Sequence, residues 1–265
     1  MKKLFLTAAA MMTASALPAQ QRTFNQTEDW LVGGSKLKLE QKADGALSGA
    51  GPMVLTTKDF IVIDPVRRYS LSGTFRKVSG ENVPLYFGFQ LYDKNGREFN
   101  LAQVNAVRGT DTELTEPLAK GGRVLKITDG SRWNNLAGKR IVWNTDPSFS
   151  DLPNFNILGI EIESVKQEDR SWTVTLKTPV SAALPAGTKL RLHQPGGTLY
   201  YDVIRYLGTD WKTIRGTSKG IDTKPGIRGS IFPVGTFKVK PLLILNLGKK
   251  EDAVTEIKDV MLSIE

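Results

Sequence analysis

The chain has 265 residues, no cysteine, one histidine and a formal charge of +9. Without cysteine it is not a disulfide scaffold, and a single histidine cannot fill a zinc shell, so small domains stapled by bridges or metal are excluded. The basic residues are scattered, the densest groups being Arg67-Arg68 and Lys249-Lys250; nucleic acid is therefore not an expected partner, and the charge reads as a solvated basic surface or as attraction to an acidic polysaccharide.

Lys2 and Lys3 precede an apolar run of 14 residues, Leu4 to Leu17, and Ala14-Ser15-Ala16 and Leu17-Pro18-Ala19 both offer small residues for cleavage. This is the pattern of a secretory signal peptide, and the run is too short to span a bilayer. Cleavage after Ala19 would leave Gln20 at the mature N-terminus. No later run is long enough for a membrane span, so a secreted, periplasmic or cell-surface protein of bacterial style is expected. Residues 20–35 are polar and read as a flexible leader. Residues 36–265 then read as a single domain, large enough for its own core.

From residue 36 onward the pattern has period two. Phe60 to Ile63 is a strand ended by Asp64-Pro65. Tyr69, Leu71, Gly73 and Phe75 alternate with Ser70, Ser72, Thr74 and Arg76. Leu85, Phe87, Phe89 and Leu91 alternate with Tyr86, Gly88, Gln90 and Tyr92, and Asp93 to Gly96 turns a hairpin with positive φ at Asn-Gly. Residues 157–165 and 172–176 are strands. Residues 189–193 and 199–206 read as a hairpin around Pro195-Gly196-Gly197. Leu242 to Leu247 is an apolar run, the mark of a central strand covered on both faces. Ile257 to Ile264 alternates with one slip at Asp259-Val260. About a dozen short strands without amphipathic helices predict an all-β fold, a jelly-roll β-sandwich with long inserted loops.

Few residues are placed for chemistry. No nucleophile elbow, Walker or Rossmann pattern occurs, and His193 lies on a strand between Leu192 and Gln194. Glu161 and Glu163 share one strand face at the spacing of ordinary outward alternation, and Asp151 sits in an irregular loop; a glycoside hydrolase or polysaccharide lyase would use these carboxylates with Arg191, His193 or Tyr201 nearby. The segment Trp143 to Asn156, WNTDPSFSDLPNFN, is unlike the rest of the chain. Asn144, Asp146, Asp151 and Asn154 could offer oxygen ligands to Ca²⁺, but not at EF-hand spacing. A stiff turn and the rim of a binding cleft are the other readings of this segment. Aromatic and amide groups outline a ligand surface: Tyr86, Gln90 and Tyr92 on one sheet face beside Gly88, Arg191 and His193 turned away from Leu190 and Leu192, and Trp133 and Trp211 in loops. A sugar ring stacks its C–H face on such rings, while amides and charged groups read its hydroxyls. Each of these residues also has a bland reading as an edge or core residue.

The runs Phe-Ile-Val-Ile-Asp-Pro to Tyr-Ser-Leu-Ser-Gly-Thr-Phe-Arg, Leu-Tyr-Phe-Gly-Phe-Gln-Leu-Tyr-Asp-Lys-Asn-Gly, and Glu-Ile-Lys-Asp-Val-Met-Leu-Ser-Ile-Glu resemble galactose-binding-like jelly rolls, which include the carbohydrate-binding modules of bacterial xylanases and glucanases. Residues 59–99 and 255–264 carry the likeness, and residues 110–155 and 205–235 look like insertions. The resemblance implies a jelly-roll core, a glycan partner and a structural Ca²⁺. It assigns no ligand residue, because family ligand residues are variable loop aromatics, and this chain is longer than such modules usually are. The leading expectation is thus an exported, non-catalytic carbohydrate-binding or cell-surface protein with a polysaccharide or glycoconjugate as partner. A β-sandwich enzyme and a structural envelope protein are the alternatives. The oligomeric state is not legible in the sequence.

Overall fold

The computed structural model describes residues 19–33, 39–134, 136–169, 171–249 and 251–265. The signal-peptide segment up to residue 18, residues 34 and 35 of the expected leader, and Lys250 lie outside the described residues. The chain is all-β: among these residues Leu101–Val104 forms the one α-helix.

Alternation builds the first core. Leu85, Phe87, Phe89 and Leu91 of strand Leu85–Tyr92 are each 0 % exposed. They face Tyr69, Leu71 and Phe75 of strand Arg68–Ser79, and Phe75 meets Phe87 edge-on at 5.1 Å between centroids. These strands belong to two antiparallel sheets packed as a sandwich. The first sheet runs Lys212–Lys219, Arg68–Ser79, Val254–Ile264, Leu47–Ala50, Leu39–Gln41, with Gln20–Thr23 beside Val254–Ile264. The second runs Leu199–Ile204, Leu85–Tyr92, Lys238–Leu245, Met53–Thr57, Trp30–Gly33, with Ile61–Val62 and Glu98–Phe99 as short additions. Lys238–Leu245 is paired on both sides and buries Leu242, Leu243 and Leu245, as its apolar run predicts. The slip at Asp259-Val260 is a β-bulge: the register shifts between Lys258 and Met261, and Asp259 takes φ 54°.

The expected leader is part of this sandwich. Gln20–Thr23 pairs with Met261 to Ile264, and Trp30, 4 % exposed, enters the core. Its polarity misleads because an edge strand needs backbone partners more than apolar side chains.

A second core lies beside the first. Between Glu98–Phe99 and Leu199–Ile204 the chain builds a sheet of Thr112–Glu113, Lys189–His193, Arg140–Trp143 and Ile157–Leu158, and a sheet of Val124–Ile127, Ser171–Leu176 and Ile162–Glu168. Their inner faces enclose Leu125, Ile127, Trp133, Ile141, Val174, Leu176, Leu190 and Leu192. Lys189–His193 and Leu199–Ile204 consequently do not form the expected hairpin; they lie in different sheets. The crossing into the second core is the short helix Leu101–Val104, capped by Asn100, whose Oδ1 accepts from Ala102 N at 2.9 Å.

Candidate functional site at the junction of the two cores

The segment Trp143 to Asn156 bridges the cores. Most of it follows strand Arg140–Trp143 of the second core, yet the Phe155 ring packs against the first. Asn144 and Phe149 take φ 55° and 65°, so the loop folds tightly back on itself. A buried cation holds it. Arg191 is 0 % exposed; its Nη2 donates to Asp151 Oδ2 at 2.8 Å, its Nη1 to the Asp146 carbonyl at 3.0 Å, and Phe149 lies 5.0 Å from its guanidinium carbon. Nε donates to His193 Nε2 at 3.2 Å, which leaves His193 Nδ1–H to donate to the Ala102 carbonyl at 2.8 Å. The imidazole is therefore neutral. Burial, with the Arg191 cation adding to it, holds its pKa down at about 4.

This arrangement corrects one expectation. Arg191 and His193 do turn away from Leu190 and Leu192, but the loop and the helix cover that face, so neither reaches a ligand from solvent. Of the residues expected for Ca²⁺, Asp146, Asp151 and Asn154 are engaged within the loop itself. Asp151 Oδ1 accepts from Asp146 N at 3.1 Å, and Asp151 Oδ2 from Asn154 Nδ2 at 2.9 Å as well as from Arg191. Asp146 Oδ1 accepts from Ser148 N and Oγ, at 2.7 and 2.6 Å, which lowers its pKa. Asn154 Oδ1 accepts from Asn156 N at 2.8 Å. The Arg191 guanidinium thus takes up Asp151 Oδ2 and the Asp146 carbonyl from inside the loop.

Beside this loop lies a groove of two adjoining cavities, about 460 and 240 Å³, that share Arg97 and Pro153. The hairpin after strand Leu85–Tyr92 forms one wall. Asp93 Oδ1 accepts from Asn95 N and Arg97 N, both at 2.8 Å, and Oδ2 from Arg97 Nε at 3.0 Å. These bonds lower the Asp93 carboxyl pKa against the opposing effect of burial. The hairpin turns over Asp93 to Gly96 as expected, but of the Asn-Gly pair only Gly96 takes positive φ, at 79°. The second wall is Pro153 to Asn156, and Phe155 lies 3.9 Å beneath the Arg97 guanidinium. The third wall is Gly235 to Phe237, with Phe237 46 % exposed. A Cβ on Gly235 would sit 2.2 Å from Pro153 Cδ, so the walls touch there and only glycine fits. Asn95, Asn144 and Asn156 add amide groups along the rim.

The other expected ligand residues lie elsewhere. Tyr86 and Tyr92 do share the outer face of the second sheet, half-buried. Tyr86 meets Tyr200 at 5.3 Å, and Tyr92 meets Phe60 at 4.9 Å; burial and then Glu98 push the Tyr92 hydroxyl up to about 12. Gln90 is 8 % exposed and bonded to the Phe99 carbonyl, so it is not available on that face. Gly88 clears room for the chain itself, since a Cβ there would lie 2.0 Å from the Leu199 carbonyl oxygen. Trp133 is a core residue, 3 % exposed, with Nε1 donating to the Thr110 carbonyl at 2.9 Å. Trp211 is half-buried with Arg76 and Lys258 over its ring at 4.4 and 4.3 Å. Glu161 and Glu163 are exposed and paired with Lys177 and Arg123, at 2.6 and 3.3 Å, and Lys177 lowers the Glu161 pKa; a general acid would need the reverse. Tyr201 is packed over Gly216 with its hydroxyl donating to Ser218 Oγ at 2.8 Å.

No family model matches the chain, and neither does any curated protein or solved structure. No helix among the described residues is long and apolar enough to cross a membrane.

Proposed function

We propose that this protein is an exported, non-catalytic carbohydrate-binding protein, and that the groove between its two cores holds the glycan. The carrying observation is the gathering, along two adjoining cavities that share Arg97 and Pro153, of an aromatic ring fixed under an arginine, a second exposed ring, and three asparagines. A sugar offers a C–H face for Phe155 or Phe237 and hydroxyls for the amides and Arg97. The groove volume lies within the range of small-ligand sites, and its walls are held by hydrogen bonds formed without ligand, which limits the ordering cost of binding. The likeness of residues 59–99 and 255–264 to galactose-binding-like modules supports the same reading, and the N-terminal Lys-Lys and apolar run support export.

The test is calorimetric titration of residues 20–265 against soluble plant, algal and mucin-type polysaccharides, with reducing ends assayed in the same samples. Saturable heat without released ends is expected, weakened by Phe155→Ala and by Asn156→Ala. Silence across the panel, or release of reducing ends, would reject the proposal.

A second reading, a structural role in an envelope assembly, draws on the outer face of the second sheet. Leu31 and Val54 are 47 and 40 % exposed there, on the two strands beyond Lys238–Leu245 from the one that carries Tyr86, and Val62, 60 % exposed, lies at the other end near Tyr92. Reversible self-association in analytical ultracentrifugation would favour it.

A further inference from the structure

The hydrogen-bonding balance of the groove distinguishes classes of glycan. Both carboxylates that line it are already engaged. Asp93 accepts three bonds from its own hairpin, and Asp151 accepts from Asp146 N, Asn154 and the buried Arg191. The donors are not engaged to the same degree. Arg97 uses Nε on Asp93 and one face on Phe155, and its two terminal nitrogens have no protein partner among the described residues. Lys94, also in the groove, is exposed and has no carboxylate partner among the described residues. Glu98 follows Arg97 in sequence but pairs across the strands with Tyr92, on the outer sheet face.

We infer that the groove is built for an acidic glycan, whose carboxylate or sulfate oxygens are gripped by the terminal nitrogens of Arg97, with Lys94 at the rim. The inference rests on the groove being the glycan site. A guanidinium whose third nitrogen is held from behind by Asp93, and whose plane lies on Phe155, is fixed in orientation before the ligand arrives. Two parallel N–H donors then match the two oxygens of a carboxylate or two of a sulfate ester. A neutral sugar would leave those donors facing hydroxyls, which are weaker acceptors. Asp93 acts here as a positioning residue, setting the guanidinium rather than touching the ligand.

The experiment compares four soluble probes by calorimetry: oligogalacturonate, the same oligosaccharide fully methyl-esterified, a sulfated galactan and a neutral galactan. Binding of an acidic probe should exceed that of its neutral counterpart by about tenfold or more, the usual gain of a charge-assisted bond. The affinity should fall as salt rises. Arg97→Gln should remove the preference for acid while leaving the residual affinity for the neutral probe, and Arg97→Lys should restore part of it. Arg215→Gln removes the same charge from the first sheet, away from the groove, and should change nothing. Which acidic probe binds more tightly assigns carboxylate or sulfate. Equal affinity for acid and methyl ester overturns this inference and leaves the glycan reading intact. Loss of preference in Arg215→Gln as well would assign it to overall charge and overturn it too. No binding of any probe overturns the glycan reading itself.

Discussion

His193 offers a stability test whose size follows from its surroundings. The imidazole is wholly buried, accepts from Arg191 Nε and donates to the Ala102 carbonyl, and its pKa is held at about 4 against the ordinary 6.5. The folded pKa is depressed, so the unfolded chain binds the proton first as pH falls. The associated stability is fully present above pH 6.5 and is lost progressively between 6.5 and 4. A gap of about 2.5 in pKa corresponds to about 3 kcal/mol over that window. Other groups titrate in the same range, so the informative quantity is the difference from a variant that keeps them and lacks only the imidazole. His193→Gln puts a polar amide in the same space and does not titrate. Urea unfolding followed by tryptophan fluorescence, at pH 7 and pH 4, should show wild type losing about 3 kcal/mol more than His193→Gln. Parallel losses in the two proteins would mean that His193 is protonated without cost, and the Arg191–His193–Ala102 chain as described would be wrong.

Three further outcomes follow from the same geometry. Arg191→Met should cost about 3–5 kcal/mol in urea unfolding, because Asp151 is left buried without its partner, and adding Asp151→Asn should recover part of that. Gly235→Ala should reduce glycan affinity, read by calorimetry, because a Cβ 2.2 Å from Pro153 Cδ and a φ of 79° push two walls of the groove apart. Chelation with EDTA should leave the thermal unfolding midpoint unchanged, since Arg191 and the loop's own donors already engage Asp146, Asp151 and Asn154; a fall in the midpoint that added calcium reverses would establish the metal reading.

What the sequence revealed about the fold was local, and what it concealed was long-range. Leu85–Tyr92 and the bulged strand Val254–Ile264 were legible because a half-buried strand must alternate, and a bulge must break the alternation. Alternation states which side chains share a face but not which strand lies alongside. Lys189–His193 and Leu199–Ile204 are separated by a plausible turn, yet one closes the second core and the other edges the first. The same limit explains the site. Arg191 and His193 alternate as read, but only the loop folding over them makes that face interior. The Trp143 to Asn156 segment was visible as unusual, and its cleft-rim reading now carries the proposal. Its partners Arg97 and Phe237 gave no local signal, since each is an ordinary polar or apolar residue until Pro153 and Phe155 are brought against them.

The most direct test of the groove as the glycan site is a nuclear magnetic resonance titration of isotopically labelled residues 20–265 with the tightest-binding oligosaccharide. Amide shifts that move saturably and cluster at residues 94–97, 154–156 and 235–237 are the predicted result. Shifts confined instead to Tyr86, Tyr92 and Tyr200 on the outer sheet face, or no saturable shift at all, would contradict it.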